Sequence, residues 1–413
     1  MAAHSRTHRH LGYGSALCLA LALGATGAKA QGTVSCAEAA KKGAGGPAVL
    51  VGVDGGFTGP SASFSQGMKR GIDICLKEYN DAGGFQGRPV EMIYLDDQAK
   101  PEVAVNNISR FIQRDKVVGI LGPVNSGNAL AFLPKTEEAE VPVIVPIASS
   151  VGIVYVDGEG KPVANSTLPG AHPRKFTFRT SMQDDFQIET ILNYAKKKGW
   201  DAIGLMHDTS GYGSQAKATA QRVIEGLGLK IVATETYNVG DTDMTSQLQK
   251  MKSAGVKQII NFGLAAELAS LLRSSQKIGY DVQWAGAWGY ADPAVGRLAG
   301  QELMEGVLAV ASFTIDSSPA AADFHQKMLK AYNENPFPMT AALGYDAAKI
   351  MLTALAKSGP DSVRLRDAIE ALDGFRGVSS VPQRPFSPTR HHSLDAKDMF
   401  VAVWRKGELV KAE

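Results

Sequence analysis

The chain has 413 residues, of which 44% are hydrophobic, enough to fill two sizeable cores and too many for a disordered protein. Its 43 Lys and Arg residues nearly balance 41 Asp and Glu residues, so neither nucleic acid nor anionic lipid is favoured as a partner. The 44 glycines show no period of three and are typical of a turn-rich α/β protein.

Residues 1–30 have the pattern of a cleavable secretory signal peptide. Arg6 and Arg9 precede the apolar run Leu11–Leu23, and Ala28–Ala30 is a small-x-small cleavage site. The apolar run is shorter than the roughly 20 residues that a membrane-spanning helix needs. We therefore expect export of the remaining chain to the periplasm.

Cys36 and Cys75 are the cysteines that remain after such a cleavage. The periplasm is oxidising, and two thiols there favour a disulfide over a metal site or a nucleophile. A free, buried Cys75 on a helix face stays open as the alternative, because the sequence does not give the distance between the two Cα atoms.

From residue 48 onward, apolar strands alternate with amphipathic helices. Ala48–Val53 predicts a strand, and apolar residues at helical spacing follow it until Gly83 and Gly84 end the helix. Such alternation predicts a parallel sheet covered by helices on both faces. Further strands are predicted at 90–95, 117–122 and 142–145, and helices at 101–114 and 127–139.

Residues 151–175 lose this periodicity and predict a long loop, either a functional flap or a domain boundary. The alternation then resumes and predicts a second α/β lobe. Its strands are predicted at 176–179, 202–206, 230–237, 258–262, 282–285, 306–311 and 398–405. Helices are predicted from 184 and from 213, and at 244–252, 265–278, 320–332, 340–356 and 363–372.

Two serine positions follow predicted strands. Ser126 lies in Gly122–Asn128, where a strand leads into a helix, so it is expected to cap that helix and help to cradle a carboxylate. Ser149 follows the next strand, at the edge where open α/β sheets bind ligands. Plain capping and turn chemistry is the alternative for each serine.

Other motifs give little support for catalysis. Gly211–Ala216 matches a dinucleotide fingerprint, but four polar residues separate it from the strand, and we interpret it as a glycine turn that opens a helix. His207, His391 and His392 lack any metal-binding motif and are expected on the surface. Asp184 and its neighbour are expected to cap a helix. The residues therefore indicate neither an enzyme nor a cofactor or metal site.

A set of short motifs runs in order from Ala48 to the C-terminal half. They are Val51–Val53, Phe57–Pro60, Asn80–Gly84, Leu95–Asp97, Pro101–Ala104, Val118–Pro123, His207–Asp208 and Tyr212–Gly213. Together they resemble the type I periplasmic solute-binding proteins of the branched-chain amino acid (leucine/isoleucine/valine-binding) ABC transporter family. The resemblance implies two Rossmann-like α/β lobes with parallel central sheets, joined by three hinge crossovers, with the ligand in the cleft between them.

This resemblance also implies domain bounds and partners. The N-terminal lobe would comprise 47–182 and 312–385, and the C-terminal lobe 183–311 and 386–413. The protein would be a monomer without a cofactor that delivers its ligand to an ABC transporter membrane permease.

By the same resemblance, Ser126 matches the serine that binds the ligand carboxylate, and Ser149 matches the residue whose hydroxyl and amide bind the backbone of an amino acid. Ile147 would contribute its carbonyl. Asp184 and Tyr212 would line the cleft from the second lobe.

The sequence departs from the family pattern at one position. In the amino-acid binders an acidic residue pairs with the ligand ammonium, and Trp288 falls at that position. Phe262 falls where a tyrosine is often found. An aromatic wall would then be formed by Phe64, Tyr212, Phe262, Trp288 and Tyr290. Such a wall suits a flat or branched apolar body attached to a carboxylate. Asp184 or Asp292 would have to replace the missing acid, and ordinary strand-end packing is the alternative for Trp288.

The leading hypothesis is an importer's binding protein that closes around a small carboxylate, which would be a branched-chain or other amino acid, or an aromatic or apolar acid. The alternatives are an exported α/β hydrolase with Ser126 as nucleophile and His207 as base, and a ligand-sensing receptor domain.

Overall fold

The computed structural model describes residues 34–334 and 336–412, so the expected signal peptide lies outside the described residues. The strands in chain order are β1 (Val49–Gly55), β2 (Val90–Asp96), β3 (Ile120–Leu121), β4 (Val143–Val145), β5 (Tyr155–Val156), β6 (His172–Pro173), β7 (Thr177–Arg179), β8 (Ile203–Asp208), β9 (Ile231–Tyr237), β10 (Gln258–Phe262), β11 (Gln283–Gly286), β12 (Leu308–Ala311), β13 (Phe400–Arg405) and β14 (Glu408–Lys411).

Helices cover the two large sheets that these strands form. They are α1 (Ala62–Asp81), α2 (Pro101–Arg110), α3 (Ser126–Glu138), α4 (Asp184–Lys197), α5 (Gly211–Leu227), α6 (Thr245–Ser253), α7 (Ala265–Lys277), α8 (Pro293–Ala299), α9 (Pro319–Tyr332), α10 (Pro338–Ser358) and α11 (Ser362–Glu370). None of the described helices combines the length and the apolar character of a bilayer span.

The first lobe is built on a five-stranded sheet of order β2-β1-β3-β4-β7, in which every pair is parallel. Its strands carry almost continuous apolar residues because helices bury both faces of the sheet. Helices α1 and α10 pack closely: a Cβ on Gly71 would lie 1.9 Å from the Ala341 carbonyl oxygen. The close helix contact therefore requires glycine at this position.

The second lobe is built on a seven-stranded sheet of order β14-β13-β12-β11-β10-β8-β9. The strands from β9 to β12 are parallel, whereas β13 and β14 return antiparallel at one edge. Two parallel central sheets in one α/β chain confirm the predicted fold class.

Three chain segments connect the lobes: β7 to α4, β12 to α9, and α11 to β13. The first and third run side by side, since the Arg179 N–H donates to the His391 carbonyl (2.8 Å) and the Ser393 N–H donates to the Arg179 carbonyl (2.9 Å). The end of β7 is thus hydrogen-bonded to the third connection between the lobes.

Residues 151–175, predicted as a loop without periodicity, contain the small hairpin of β5 and β6. The Tyr155 hydroxyl lies 2.7 Å from His392 Nδ1, so this hairpin packs on the third connection between the lobes. At the other end of the first lobe, Cys36 and Cys75 form a disulfide with Cα atoms 5.2 Å apart.

Candidate functional site

A cavity of about 40 Å³ lies where the two lobes meet. It is bordered by the carboxyl ends of β3 and β4 in the first sheet and of β8, β10 and β11 in the second, the edges at which α/β sheets bind ligands. Its lining comprises Phe64, Val124, Asn125, Ser126, Ile147, Ser149, Ser210, Tyr212, Gly263, Leu264, Trp288 and Gly289. Six of the eight ligand residues predicted from the sequence therefore meet at one cavity.

The first-lobe wall is polar and held by hydrogen bonds. Ser126 is the first residue of α3, and its hydroxyl accepts the Ser150 N–H (3.3 Å), so it does not cap the helix as expected. The expectation fails because Asn125 occupies the cap position in extended conformation. Ser149 and Ile147 lie on the short turn that follows β4.

Arg179 fixes this turn from behind. Its side chain is fully buried, and its guanidinium donates to the carbonyls of Ser149 (3.0 Å) and Ser150 (2.7 Å) and to the Gln183 amide. Burial lowers the pKa of Arg179 to about 10, so the group stays charged at neutral pH. The sequence gave no signal for this role, because the Ser149 and Ser150 carbonyls lie 30 and 29 residues away from Arg179 along the chain.

The second-lobe wall begins at α5. Ser210 caps this helix by accepting the Gly213 N–H (3.1 Å), and Tyr212 projects from the first turn. The start of α5 faces the start of α3: a Cβ on Gly211 would lie 3.2 Å from the Gly127 Cα. Both helix N-termini therefore direct positive dipole ends towards this region, which favours an anion.

Aromatic rings close one side of the cavity. Phe64 meets Trp288 edge to face, with ring centroids 5.5 Å apart, and meets Phe337 at 4.9 Å. The backbone N–H of Trp288 donates to the Gln187 side-chain oxygen (3.1 Å). Phe337, which the sequence reasoning missed, lies beyond Phe64 as seen from the cavity.

Asp184 lies behind the cavity lining and not in it. It is buried, and neither carboxylate oxygen makes a hydrogen bond of ordinary geometry with the part of the chain that the structure describes. Burial raises the pKa of Asp184 to about 7, against the opposing effects of the Ser149 hydroxyl and the Arg179 charge. The Tyr212 hydroxyl is likewise enclosed without a described partner. These groups are available to a ligand that supplies donors and acceptors.

Two other predicted positions are placed differently. Phe262 is buried in β10 and is absent from the lining, although the next two residues line the cavity. Asp292 caps α8 and accepts the Ser63 hydroxyl (2.8 Å) across the lobes, and burial raises the pKa of Asp292 to about 6. One carboxylate oxygen of Asp292 therefore forms a hydrogen bond between the two lobes.

The three histidines expected on the surface are buried. His207 contacts the Asp208 carbonyl (2.8 Å) and the Thr236 hydroxyl (3.0 Å). His391 and His392 pack in the third connection, where burial lowers the pKa of each imidazole. The expectation was wrong because distant segments supply their hydrogen-bond partners.

No hydrogen bond joins Ser126 to His207 among the described residues, since both ring nitrogens of His207 have other partners. Over the same residues, no group of three or more His, Cys, Asp or Glu side chains is arranged to hold a metal ion.

Residues 48–408 match the sequence profile of a family described as periplasmic binding protein. The chain belongs to the periplasmic binding protein family. A relative from Pseudomonas aeruginosa, named leucine-, isoleucine-, valine-, threonine- and alanine-binding protein, is 25% identical over 78% of this chain and 82% of its own length. The family suggested by the sequence motifs is thereby confirmed.

Solved structures of this family superpose well on the chain. A type 1 periplasmic binding protein from Bordetella pertussis Tohama I has a TM-score of 0.80 at 28% identity, covering 88% of this chain and all of that one. A solute-binding protein of an ABC transporter from R. palustris, solved in complex with 4-hydroxybenzoate, has a TM-score of 0.72 at 21% identity, covering 89% and 96%. The second likeness concerns the fold alone.

Proposed function

We propose that this periplasmic binding protein is the solute-binding component of an ABC importer and holds a small carboxylate between its lobes by hinge closure. The observation that carries the proposal is the cavity itself. Two serines and two helix N-termini converge there with aromatic rings from both lobes. In the part of the chain that the structure describes, Ser126 has no histidine hydrogen-bonded to it that could act as a base, which supports a binding role for the cavity.

The carboxylate is assigned to the first-lobe wall. Ser126 and Ser149 supply hydroxyls and α3 supplies unpaired backbone amides, a donor set that suits an anion. Arg179 holds the carbonyls of the same turn in place, so the donors are organised before the ligand arrives.

The rest of the ligand is assigned to the aromatic side of the cavity, to which both lobes contribute. Phe64 and Trp288 offer ring edges and faces to an apolar or aromatic body. For an amino acid, the buried Asp184 would have to supply the counter-ion that Trp288 does not, giving up its proton as the ammonium binds. The proposed ligand class is therefore apolar carboxylates. Amino acids belong to it if the Asp184 carboxylate contacts their ammonium group.

The proposal extends to the setting of the protein. The disulfide between Cys36 and Cys75 suits an oxidising compartment such as the periplasm, reached by means of the signal in residues 1–30. The lobes would be 47–182 with 312–385, and 183–311 with 386–413, in a monomer that presents its closed form to a membrane permease.

A ligand screen by thermal unfolding tests the proposal. A ligand that binds only the folded state adds about 2.7 kcal/mol at a hundredfold excess over its dissociation constant, so one class of small acid should raise the Tm by several degrees. The panel contains leucine, 4-methylpentanoate, benzoate, 4-hydroxybenzoate and, as a control without a carboxylate, 4-methylpentanol. Equal Tm values with every acid and with the alcohol contradict the proposal.

A further inference from the structure

A second, larger pocket lies next to the candidate cavity. It measures about 490 Å³, within the roughly 300 to 1,000 Å³ typical of small-molecule sites, whereas the candidate cavity measures about 40 Å³. We name it the side pocket. Its walls include Phe313, Ile315, Phe337, Met339, Trp404 and Leu409. Apolar side chains from both lobes therefore surround it.

A thin partition separates the two spaces. Phe64 lines the candidate cavity, Phe337 lines the side pocket, and their ring centroids are 4.9 Å apart. Beside the rings, the Ser63 hydroxyl donates to Asp292 (2.8 Å), whose neighbours on the chain also line the side pocket. Two rings and one hydrogen bond thus separate the candidate cavity, of about 40 Å³, from the side pocket, of about 490 Å³.

Phe337 forms the side-pocket half of this partition, and its side chain is buried. Its carbonyl accepts the Thr340 hydroxyl (3.1 Å) and the Ala341 N–H (3.2 Å) at the start of α10, and prolines flank it on both sides. The backbone is therefore held while the ring needs only side-chain rotation to leave Phe64. Rotation would join the two spaces without moving either lobe.

The side pocket selects for an apolar occupant. Its walls include buried rings and aliphatic groups, and its charged lining residues are one base, Arg297, and two acids, Asp316 and Glu408, so it does not favour a second anion. A carboxylate anchored at Ser126 could direct only its far end through the partition.

We propose that Phe337 is a gate between the cavity and the side pocket, and that the protein binds monocarboxylates whose apolar tail passes the gate. This inference rests on the proposed function, since the carboxylate head is taken to lie at Ser126 and Ser149. Phe337 then determines the accepted length of the ligand, and the first-lobe serines determine its head group.

Calorimetric titration of the purified protein with straight-chain monocarboxylates from propanoate to octanoate tests the gate. Each buried methylene contributes about fourfold in affinity, so affinity should rise steeply once the tail reaches the side pocket. Ile315→Trp fills that pocket from its rim, where Ile315 is 41% exposed, and should abolish the rise while changing short-acid affinity less than twofold. Val363→Trp, at an exposed position outside both spaces, is the control and should behave like the unaltered protein.

Phe337→Ala opens the partition permanently and should strengthen octanoate binding at least tenfold relative to propanoate. Phe375→Ala, which removes a buried ring elsewhere in the first lobe, controls for general loosening. An affinity that is flat or falling with chain length, or that rises equally in Ile315→Trp, overturns the gate. If no acid of any length binds, the proposed function fails as well, and that outcome is distinct from short acids binding without a length effect.

Discussion

The two walls of the candidate cavity are built in different ways. The first-lobe wall consists of serines on short turns whose backbone is held by Arg179 and by the Ser126–Ser150 hydrogen bond. The second-lobe wall contains the rings of Tyr212 and Trp288. The Tyr212 hydroxyl, and the buried Asp184 carboxyl outside the lining, make no hydrogen bond of ordinary geometry with the described part of the chain.

This difference teaches how one fold serves many ligands. Under the proposed function, the wall whose backbone is held rigid would bind the feature that all ligands share, the carboxylate. A wall with unpaired groups and rings can be changed without disturbing the fold and so determines which carboxylate is bound. Substitutions in the first-lobe wall should therefore change the affinity for every carboxylate, whereas substitutions in the second-lobe wall should change the selectivity among carboxylates.

The largest effect is expected from Arg179→Met. Three hydrogen bonds of a fully buried guanidinium disappear, and the Ser149 and Ser150 carbonyls lose their donors. We expect the free energy of unfolding to fall by about 3 to 5 kcal/mol, with weaker carboxylate binding, as measured by urea unfolding and calorimetry.

Arg174→Met is the matched control, because Arg174 is also buried but its guanidinium donates one bond, to the Ile153 carbonyl. It should lose less stability and retain ligand affinity. Equal losses in both variants would mean that Arg179 supports the fold in general and not the first-lobe wall.

Asp184→Asn should change how stability depends on pH. The pKa of Asp184 is raised from 3.8 to about 7 by burial, so as pH rises the unfolded chain releases this proton first. The unaltered protein therefore loses stability between about pH 4 and pH 7, by at most about 4 kcal/mol, and Asp184→Asn should remove that loss.

Urea unfolding at pH 4, 5.5, 7 and 8 checks this expectation. Asp185→Asn is the comparison, since the Asp185 carboxylate accepts bonds from the Gln183 amide (2.7 Å) and the Phe186 N–H (2.9 Å). Parallel pH profiles for Asp184→Asn and the unaltered protein would show that Asp184 is ionised in the folded state, and the second-lobe wall would then carry a fixed charge.

The fold was largely predictable from the sequence. Strands such as Gln258–Phe262 and helices such as α1 carry long apolar periodicities, which depend only on local spacing. Strand β14 was missed because its residues are exposed or half-buried and form no apolar run, and helix α8 was missed because seven residues are too short for a periodic signal. The hairpin of β5 and β6, with two residues per strand, was missed for the same reason.

The site was predictable where it follows from strand ends and not where it depends on distant contacts. Ser126 and Ser149 follow β3 and β4, and the carboxyl ends of parallel strands meet at one edge. Arg179 and Phe337 act through partners in other segments of the chain, and no local pattern reveals such contacts. The buried imidazole of His391 contacts Thr177, 214 residues away, which explains why it was assigned to the surface.

Ser126→Ala should weaken carboxylate binding by about 1 to 3 kcal/mol, because it removes one charge-assisted hydrogen bond from the first-lobe wall. Ser210→Ala is the matched variant on the second-lobe wall, where the serine also lines the cavity but uses its hydroxyl to cap α5. Calorimetry should show a larger loss of affinity for Ser126→Ala, and urea unfolding a larger loss of stability for Ser210→Ala. The reverse pattern would place the carboxylate on the second-lobe wall.

The smallest effect is expected from Trp288→Glu, which should alter selectivity more than affinity. A carboxylate at position 288 would pair with a ligand ammonium, so leucine should gain about tenfold over 4-methylpentanoate, which has the same apolar body without the ammonium. Trp288→Gln provides a side chain of the same size as Glu without its charge and should leave that ratio unchanged. If both variants shift the ratio equally, the loss of the Phe64–Trp288 ring contact is the cause. Position 288 then contributes to the shape of the wall and does not interact with the charge of the ligand.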